Sequence, residues 1–287
     1  MGFDLYQHIT DRIVSELETG TAPWQRPWVG SRFAISHVTG KPYSIMNQML
    51  LEQPGEHVTF NQVLAEGGHV RKGEKSKIVV FWKWLDIENK DTGETERKPL
   101  LRYFNVFHIS QVEGIKPRYD APLPDCVQPN EQAERILHDY WDREGIHVTE
   151  GNECSYAPGS DTITLPSKDR FLSTAEYYSA ACHESIHSSG AEKRLNRLIK
   201  NGFGSEPYSK EELVAEIGAS FLVNMVGLET PESFRNNAAY IASWLKALKN
   251  DKRLIVSAAG QAQKAVDYIL NNPAEKPQHI ENEGNLA

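Results

Sequence analysis

Between Gly114 and Asn130 the chain reads GIKPRYDAPLPDCVQPN, and its four prolines restrict what can form there. A proline has no N–H to donate and holds its φ near about −65°, so neither a helix interior nor a central strand runs through such a segment. It also lacks apolar periodicity, which suits a linker dividing the 287 residues in two. We set a first domain at residues 1–120, the linker at 121–130, a second domain at 131–272 and a polar, frayed tail at 273–287.

Residues 4–19 put Leu5, Ile9, Ile13, Val14 and Leu17 on one face, an amphipathic helix stopped by Gly20. The following TAPWQRPW is a stiff aromatic loop. Short helical stretches follow at Ile45–Leu51 and Asn61–Glu66, then strands at Lys77–Leu85 and Leu100–Ile109, with the polar DIENKDTGETERK between them as a hairpin excursion. Beyond the linker we expect a helix at Glu131–Arg143, strands at Ile146–Thr149 and Asp161–Pro166, and helices to about Leu270. The expected class is α+β in two domains, the second mainly helical with a small sheet.

Charge is unevenly shared. Residues 1–120 hold 15 basic and 15 acidic side chains, and residues 121–287 hold 16 and 24, which accounts for the net −8. A strongly negative chain is an unpromising nucleic-acid binder, but a neutral first half with local basic clusters stays compatible with one. No run approaches 18 apolar residues and the N-terminus does not read as a signal peptide, so no membrane partner is expected and the expected address is the cytoplasm. Cys126, Cys154 and Cys182 fit neither a disulfide framework nor a C-x-x-C knuckle.

The run His183-Glu184-Ser185-Ile186-His187 has the H-E-x-x-H spacing. Residues four apart share a helix face, so two imidazoles can point at one ion with Glu184 beside it as general base. Neutral imidazoles suit one zinc ion, with other divalent metals as alternatives, and three protein ligands leave a position open for catalysis. FLSTAEYYSAAC leads into the motif with Ser173 or Thr174 as N-cap, and Gly190 stops the helix just after it. A metzincin histidine is missing, since position 193 is lysine. The third ligand is sought in SKEELVAEIGASFL, where Glu212 and Glu216 lie one turn apart; Glu212 is the first choice, with Glu216 orienting a histidine, and the opposing interpretation is a solvated acidic face with Glu211. H-E-S-I-H followed by E-E-L-V-A-E resembles the gluzincin arrangement, with glutamate instead of the usual aspartate at 216. Asp161–Pro166 resembles the edge strand that pairs with substrate in zincins, and Tyr208 is either an oxyanion donor or a packing residue. His138 and His147 have no i,i+4 partner and Cys182 points about 100° away from His183, so none joins the site.

In the first half, residues 68–84 carry five basic side chains against one acid, interleaved with aromatics. Rings that stack bases beside cations that meet phosphates suit single strands without sequence preference. Equally, Trp82 and Trp84 share a strand face and could be core, with Arg71, Lys72, Lys75 and Lys77 a solvated turn.

The stretches PWQRPW, TGKPYSIMNQMLL, TFNQVLAEGGHVRKGEKS and VVFWKW, in this order and followed by YYSAACHESIHSSGAEKRLNR and EELVAEIGASFL, resemble the plasmid antirestriction ArdC family along the whole chain. The resemblance implies an N-terminal domain that binds single-stranded DNA, a C-terminal zincin-like domain, and protection of DNA entering by conjugation from host restriction endonucleases, with transfer into the recipient cell. Its DNA contacts would include Trp24, Arg26, Trp28, Arg71, Lys72, Lys75, Lys77, Trp82, Lys83 and Trp84. The second half's partner would be a restriction endonuclease or another protein substrate. The competing account is a general cytosolic zinc metallopeptidase whose first half recognises protein; a DNA mimic would need an acidic stripe, whereas the acids here are scattered.

Overall fold

The computed structural model describes residues 3–20, 22–25, 33–88, 95–119, 129–197, 206–228 and 238–272. Helix α1 (Leu5–Glu18) begins at Asp4, whose carboxylate accepts the Gln7 N–H at 3.1 Å, and buries Leu5, Ile9, Ile13 and Leu17. Those are positions on the stripe the periodicity selects. A four-stranded sheet follows, built from β1 (Ala34–Ser36), β2 (Gly55–Thr59) and two longer strands described below; helix α2 (Ile45–Leu51) connects β1 to β2, and α3 (Phe60–Ala65) leaves β2 through a capping box on Thr59. The two-residue β3 (His69–Val70) stands apart from it.

Strands β4 (Lys77–Glu88) and β5 (Thr95–His108) form a long hairpin in register from Lys77↔Val106 to Glu88↔Thr95. The order is β1-β2-β5-β4, with β1 parallel to β2 and the remaining pairs antiparallel. Both long strands run further into the polar excursion than their apolar residues suggest. Backbone pairing is indifferent to side-chain polarity, so a ladder once started continues through Asp86 and Glu96.

Strand β6 (Val112–Glu113) pairs with β3. There Gly68 and Gly114 cross closely: a Cβ on Gly68 would stand 2.7 Å from the Glu113 carbonyl oxygen, and Gly114 takes a φ of 89°. The start of the proline-rich segment is stitched back to the first half, because Arg118 and Tyr119 donate their backbone N–H groups to Glu56 Oε1 at 2.8 and 2.5 Å. Buried His37 meets the other Glu56 oxygen at 2.5 Å. The rest of the linker to residue 128, and the tail from 273, lie outside the described residues.

The second half contains α4 (Pro129–Glu144), a sheet of β7 (His147–Glu150), β8 (Ser155–Ala157) and β9 (Thr162–Leu165), then α5 (Thr174–Ser189), α6 (Glu206–Met225), α7 (Ala238–Asn250) and α8 (Leu254–Ile269). Strand order is β7-β9-β8, so β9 is central, flanked by parallel β7 and antiparallel β8. The expectation of an edge strand at Asp161–Pro166 is therefore corrected. Its missing neighbour, β8, is three residues long and too short to show alternation.

The fold is α+β, as expected, and its main core draws on both halves. Ile9, Ile13, Met49, Leu50, Val80 and Leu101 belong to one apolar cluster with Leu137, Ile186, Leu213, Trp244 and Ile269. Polar ties reinforce it: Thr10 Oγ1 donates to the Lys252 carbonyl at 2.8 Å, and Ile45 N–H to Gln263 Oε1 at 2.9 Å. Among the described residues no helix is long and apolar enough to cross a membrane.

Candidate metal centre

Helix α5 starts at Ser173, whose hydroxyl accepts the Glu176 N–H at 3.2 Å, and stops at Gly190. Its inner face carries His183, Ile186 and His187 against α6. Close approach of the two helices depends on Gly218, where a Cβ would stand 2.7 Å from Ile186 Cδ1. Without a side chain there, Glu211, Glu212 and Glu216 of α6 come into range of the histidines. All three are buried, which rules out the solvated acidic face.

The two histidines turn their Nε2 atoms towards each other at 3.0 Å. Glu212 closes the triangle, with one oxygen 3.4 Å from His183 Nε2 and the other 3.3 Å from His187 Nε2. Ligand atoms of these three residues all lie within 4.8 Å of one another, the one such group among the described residues. A tetrahedral zinc with bonds of about 2.0–2.1 Å needs its nitrogen ligands about 3.3 Å apart, so a few tenths of an ångström of opening suffices. The far nitrogens fit the same purpose. His183 Nδ1 and His187 Nδ1 are buried without a hydrogen bond, but face Glu216 at 3.8 Å and Glu211 at 3.5 Å. An imidazole that ligates through Nε2 must carry its proton on Nδ1, and a carboxylate beyond that proton fixes the ring. The residues therefore fit one divalent ion: two imidazoles, one carboxylate and a fourth position open.

Glu211 and its own anchor are what sequence reasoning missed. Arg197 donates to both Glu211 oxygens, the shortest contact at 2.8 Å, and also to the Ile186 carbonyl at 2.6 Å and Ser189 Oγ at 3.0 Å. One buried guanidinium thus ties the end of α5 to the start of α6. A hint was present in the adjacency of Glu211 to Glu212, but nothing local marks Arg197, 14 residues away.

Electrostatics follow from this crowding. Burial alone would depress His187, but Glu211 and Glu212 overcome it and push the imidazole up to about 10. For His183 burial is likewise outweighed, by Glu212 first, and its value is raised. Burial opposes ionisation of Glu212 too, yet hydrogen bonds from both histidines hold it below the usual carboxylate range. Glu184 is buried and makes no hydrogen bond or ion pair among the described residues, while its charge is felt by both histidines and by Cys154, whose thiol burial and Glu184 push up to about 11. Cys182 is core, pushed up to about 12 by burial.

In the first half the structure sorts the DNA candidates. Trp24 is 4% exposed, edge-on to Trp244 with centroids 5.5 Å apart, so its ring belongs to the core and is corrected out of the stacking set. Lys77 is committed to the Leu51 carbonyl at 2.8 Å and Glu52 at 2.9 Å. Arg71 pairs with Glu74 at 2.8 Å, whereas Lys72, Lys75 and Lys83 are exposed. Trp82 is 44% exposed, not core, because the outer half of the hairpin overhangs the sheet. Phe81 and Phe104 stack across the strands at 4.7 Å with planes 6° apart, beside Arg102. Arg26 and Trp28, and the side chains of Trp84 and Tyr208, lie outside the described residues.

Comparison with known proteins matches both halves. Residues 3–107 fit the family model for the N-terminal domain of anti-restriction factor ArdC, and residues 131–261 a zincin-like metallopeptidase model. The DNA primase TraC of Escherichia coli is 32% identical over 292 residues, covering 92% of this chain and 27% of the primase, so the chain spans about a quarter of that relative's length. Uncharacterized protein y4eC of Sinorhizobium fredii is 32% identical over 93% of this chain and 91% of its own. Two crystal structures of antirestriction ArdC from plasmid R388 are similar over nearly their whole length. The metal-free form has a TM-score of 0.75 at 35% identity, covering 94% of this chain and 98% of that one. The Mn(II)-bound form has 0.75 at 34%, covering 95% and 99%.

Proposed function

This chain belongs to the ArdC antirestriction family, and from that premise we propose that it binds incoming single-stranded DNA and protects it from host restriction endonucleases, with one zinc ion held by its second half. The observation that carries the metal part is the convergence of His183 Nε2, His187 Nε2 and the Glu212 carboxylate, with Glu216 and Glu211 behind the two rings. That a similar protein is known in a Mn(II)-bound form supports a divalent ion at such a site. When bound, the ion supplies Lewis acidity at its open position. His183 and His187 would hold it through Nε2 and Glu212 through a carboxylate oxygen. Glu184, uncommitted to any partner among the described residues, would accept a proton from an attacking water and return it to a leaving amine, the role that makes the domain a peptidase. Among the described residues β8 lies at the edge of its sheet and adjoins α5, which makes it a better candidate for pairing an extended peptide than central β9.

For the first half, support comes from the exposed Trp82 ring, the Phe81–Phe104 stack and the exposed cationic run of Lys72, Lys75 and Lys83. Stacking and phosphate neutralisation together suit single strands. The deciding experiment is conjugation into a restricting recipient with Glu184→Ala. His183→Ala and His187→Ala should each abolish stoichiometric metal by elemental analysis, while Glu184→Ala keeps the metal and loses peptidase activity. Full metal in both histidine variants would end the metal reading. Protection that survives Glu184→Ala would make the second half a binding device, and protection that is lost would make cleavage part of the task.

A further inference from the structure

A cleft of about 1210 Å³ lies between the two halves, and neither half forms it alone. One wall comes from α1 and the β4–β5 hairpin, through Tyr6, Trp82 and Leu101; the other from α6 and α8, through Lys210, Val214 and Lys264. Arg197 and Glu211 also line it, so it backs onto the pair that steadies His187 and lies on the far side of that ring from the converging Nε2 atoms.

We propose that this cleft is a binding site for a single-stranded polynucleotide, contributed jointly by both halves. The proposal rests on the single-strand reading above and extends it to residues of the second half. Size is the first argument: small-molecule pockets run to about 1,000 Å³, and this open cleft exceeds that, as a polymer track does. Charge is the second. Arg197 and Glu211 satisfy each other, and among the described residues the remaining charged lining is Lys210, Arg253 and Lys264 with Asp251, a local cationic excess in a chain of net −8. Third, the aromatic groups stand where bases could stack. Trp82 is 44% exposed at the hairpin wall, and Tyr6 already lies under the Arg253 guanidinium at 5.4 Å, a ring and cation together. An extended peptide would find apolar lining here too, but it has no use for three cations around two rings.

The test uses the full chain and a fluorescein-labelled oligothymidylate of about 20 nucleotides, with anisotropy measured across a salt series. The expected result is that Lys210→Ala combined with Lys264→Ala lowers the slope of log affinity against log salt by about 1.4, at about 0.7 per lost phosphate contact. Trp82→Ala should weaken binding about five- to 150-fold. Cross-linking a 5-bromouracil oligonucleotide to the unaltered protein should label Tyr6 or Trp82, a readout that needs no variant. If the unaltered chain binds but the double variant keeps its slope and cross-links fall only at residues 71–75, the cleft is not the site, while the single-strand reading stands. If the unaltered chain binds no oligonucleotide, that reading fails and this proposal with it. A casein peptide that cross-links in the cleft where the oligonucleotide does not would also overturn it.

Discussion

Gly218 is the position where the helix pair that carries the candidate ligands is most sensitive to a single added carbon. An alanine Cβ would stand 2.7, 3.0 and 3.4 Å from Cδ1, Cγ1 and Cγ2 of Ile186, a β-branched side chain with no exposure at all. Overpacking of this kind costs about 1–3 kcal/mol. Against it, replacing glycine in a helix interior gains about 0.8–1.0 kcal/mol, so the net is a loss of about 0–2 kcal/mol. Gly260 in α8 is the internal control, exposed and with nothing within 4 Å of where a Cβ would stand, so Gly260→Ala collects the helix gain alone. At about 2 °C per kcal/mol for a chain of this size, Tm should rise by about 2 °C in Gly260→Ala and fall by about 0–4 °C in Gly218→Ala. The functional readout is sharper. Any retreat of α6 carries Glu212 away from nitrogens 3.3 and 3.4 Å distant, and a carboxylate ligand must come to about 2.0–2.2 Å from zinc. Zinc affinity, measured by competition with a chromophoric chelator, should drop about 10–100-fold in Gly218→Ala and stay unchanged in Gly260→Ala. Equal stabilisation of both variants with unaltered affinity would refute the claim that helix spacing sets the ligand geometry.

Two further outcomes follow from the same centre. Glu211→Gln or Arg197→Met removes the support behind His187 and should speed metal loss about 10–100-fold while leaving all three proposed ligands in place; unchanged chelator competition would deny them that role. The pH behaviour of metal-stripped protein has a definite sign. His187 is raised from 6.5 to about 10, so its contribution is complete below 6.5 and lost as pH rises towards about 10. Glu212 is depressed from 4.5, so its contribution is present above 4.5 and lost as pH falls through its lowered folded value. Tm of the stripped protein should therefore decline on the alkaline side between these two histidine values, and bound zinc, which replaces the proton, should remove that decline. A flat alkaline profile without metal would contradict the arrangement.

What could be read in the sequence was whatever repeats at short range. The stripe of α1, the cap and stop of α5 and the four-residue spacing of His183 and His187 are all local, and the structure bears out these elements. Glu212 and Glu216 were legible as a pair because helical spacing also governs α6. Partnerships across the fold were not. Arg197 reaches Glu211 only once α5 and α6 are packed, β8 is too short to alternate, and β9 becomes central only when β8 returns to it. Trp24 and Trp82 are the same residue in similarly basic, aromatic surroundings, yet one meets Trp244 in the core and the other overhangs the sheet. Composition cannot tell those fates apart, because burial is decided by what lies opposite.

The apolar cluster shared by Ile9, Ile13 and Leu101 with Leu213, Trp244 and Ile269 also bears on how such a protein is inherited. A recombination break in the proline-rich segment is the natural place to trade one half for another, yet each half would arrive with part of its interior uncovered. The TraC primase is similar over 92% of this chain but devotes only 27% of its own length to the match, so the two halves travel there together as one cassette. Selection acting on the face proposed to meet DNA and selection acting on the proposed metal centre would thus be tied through one shared interior, and a change in either half would be felt by the other.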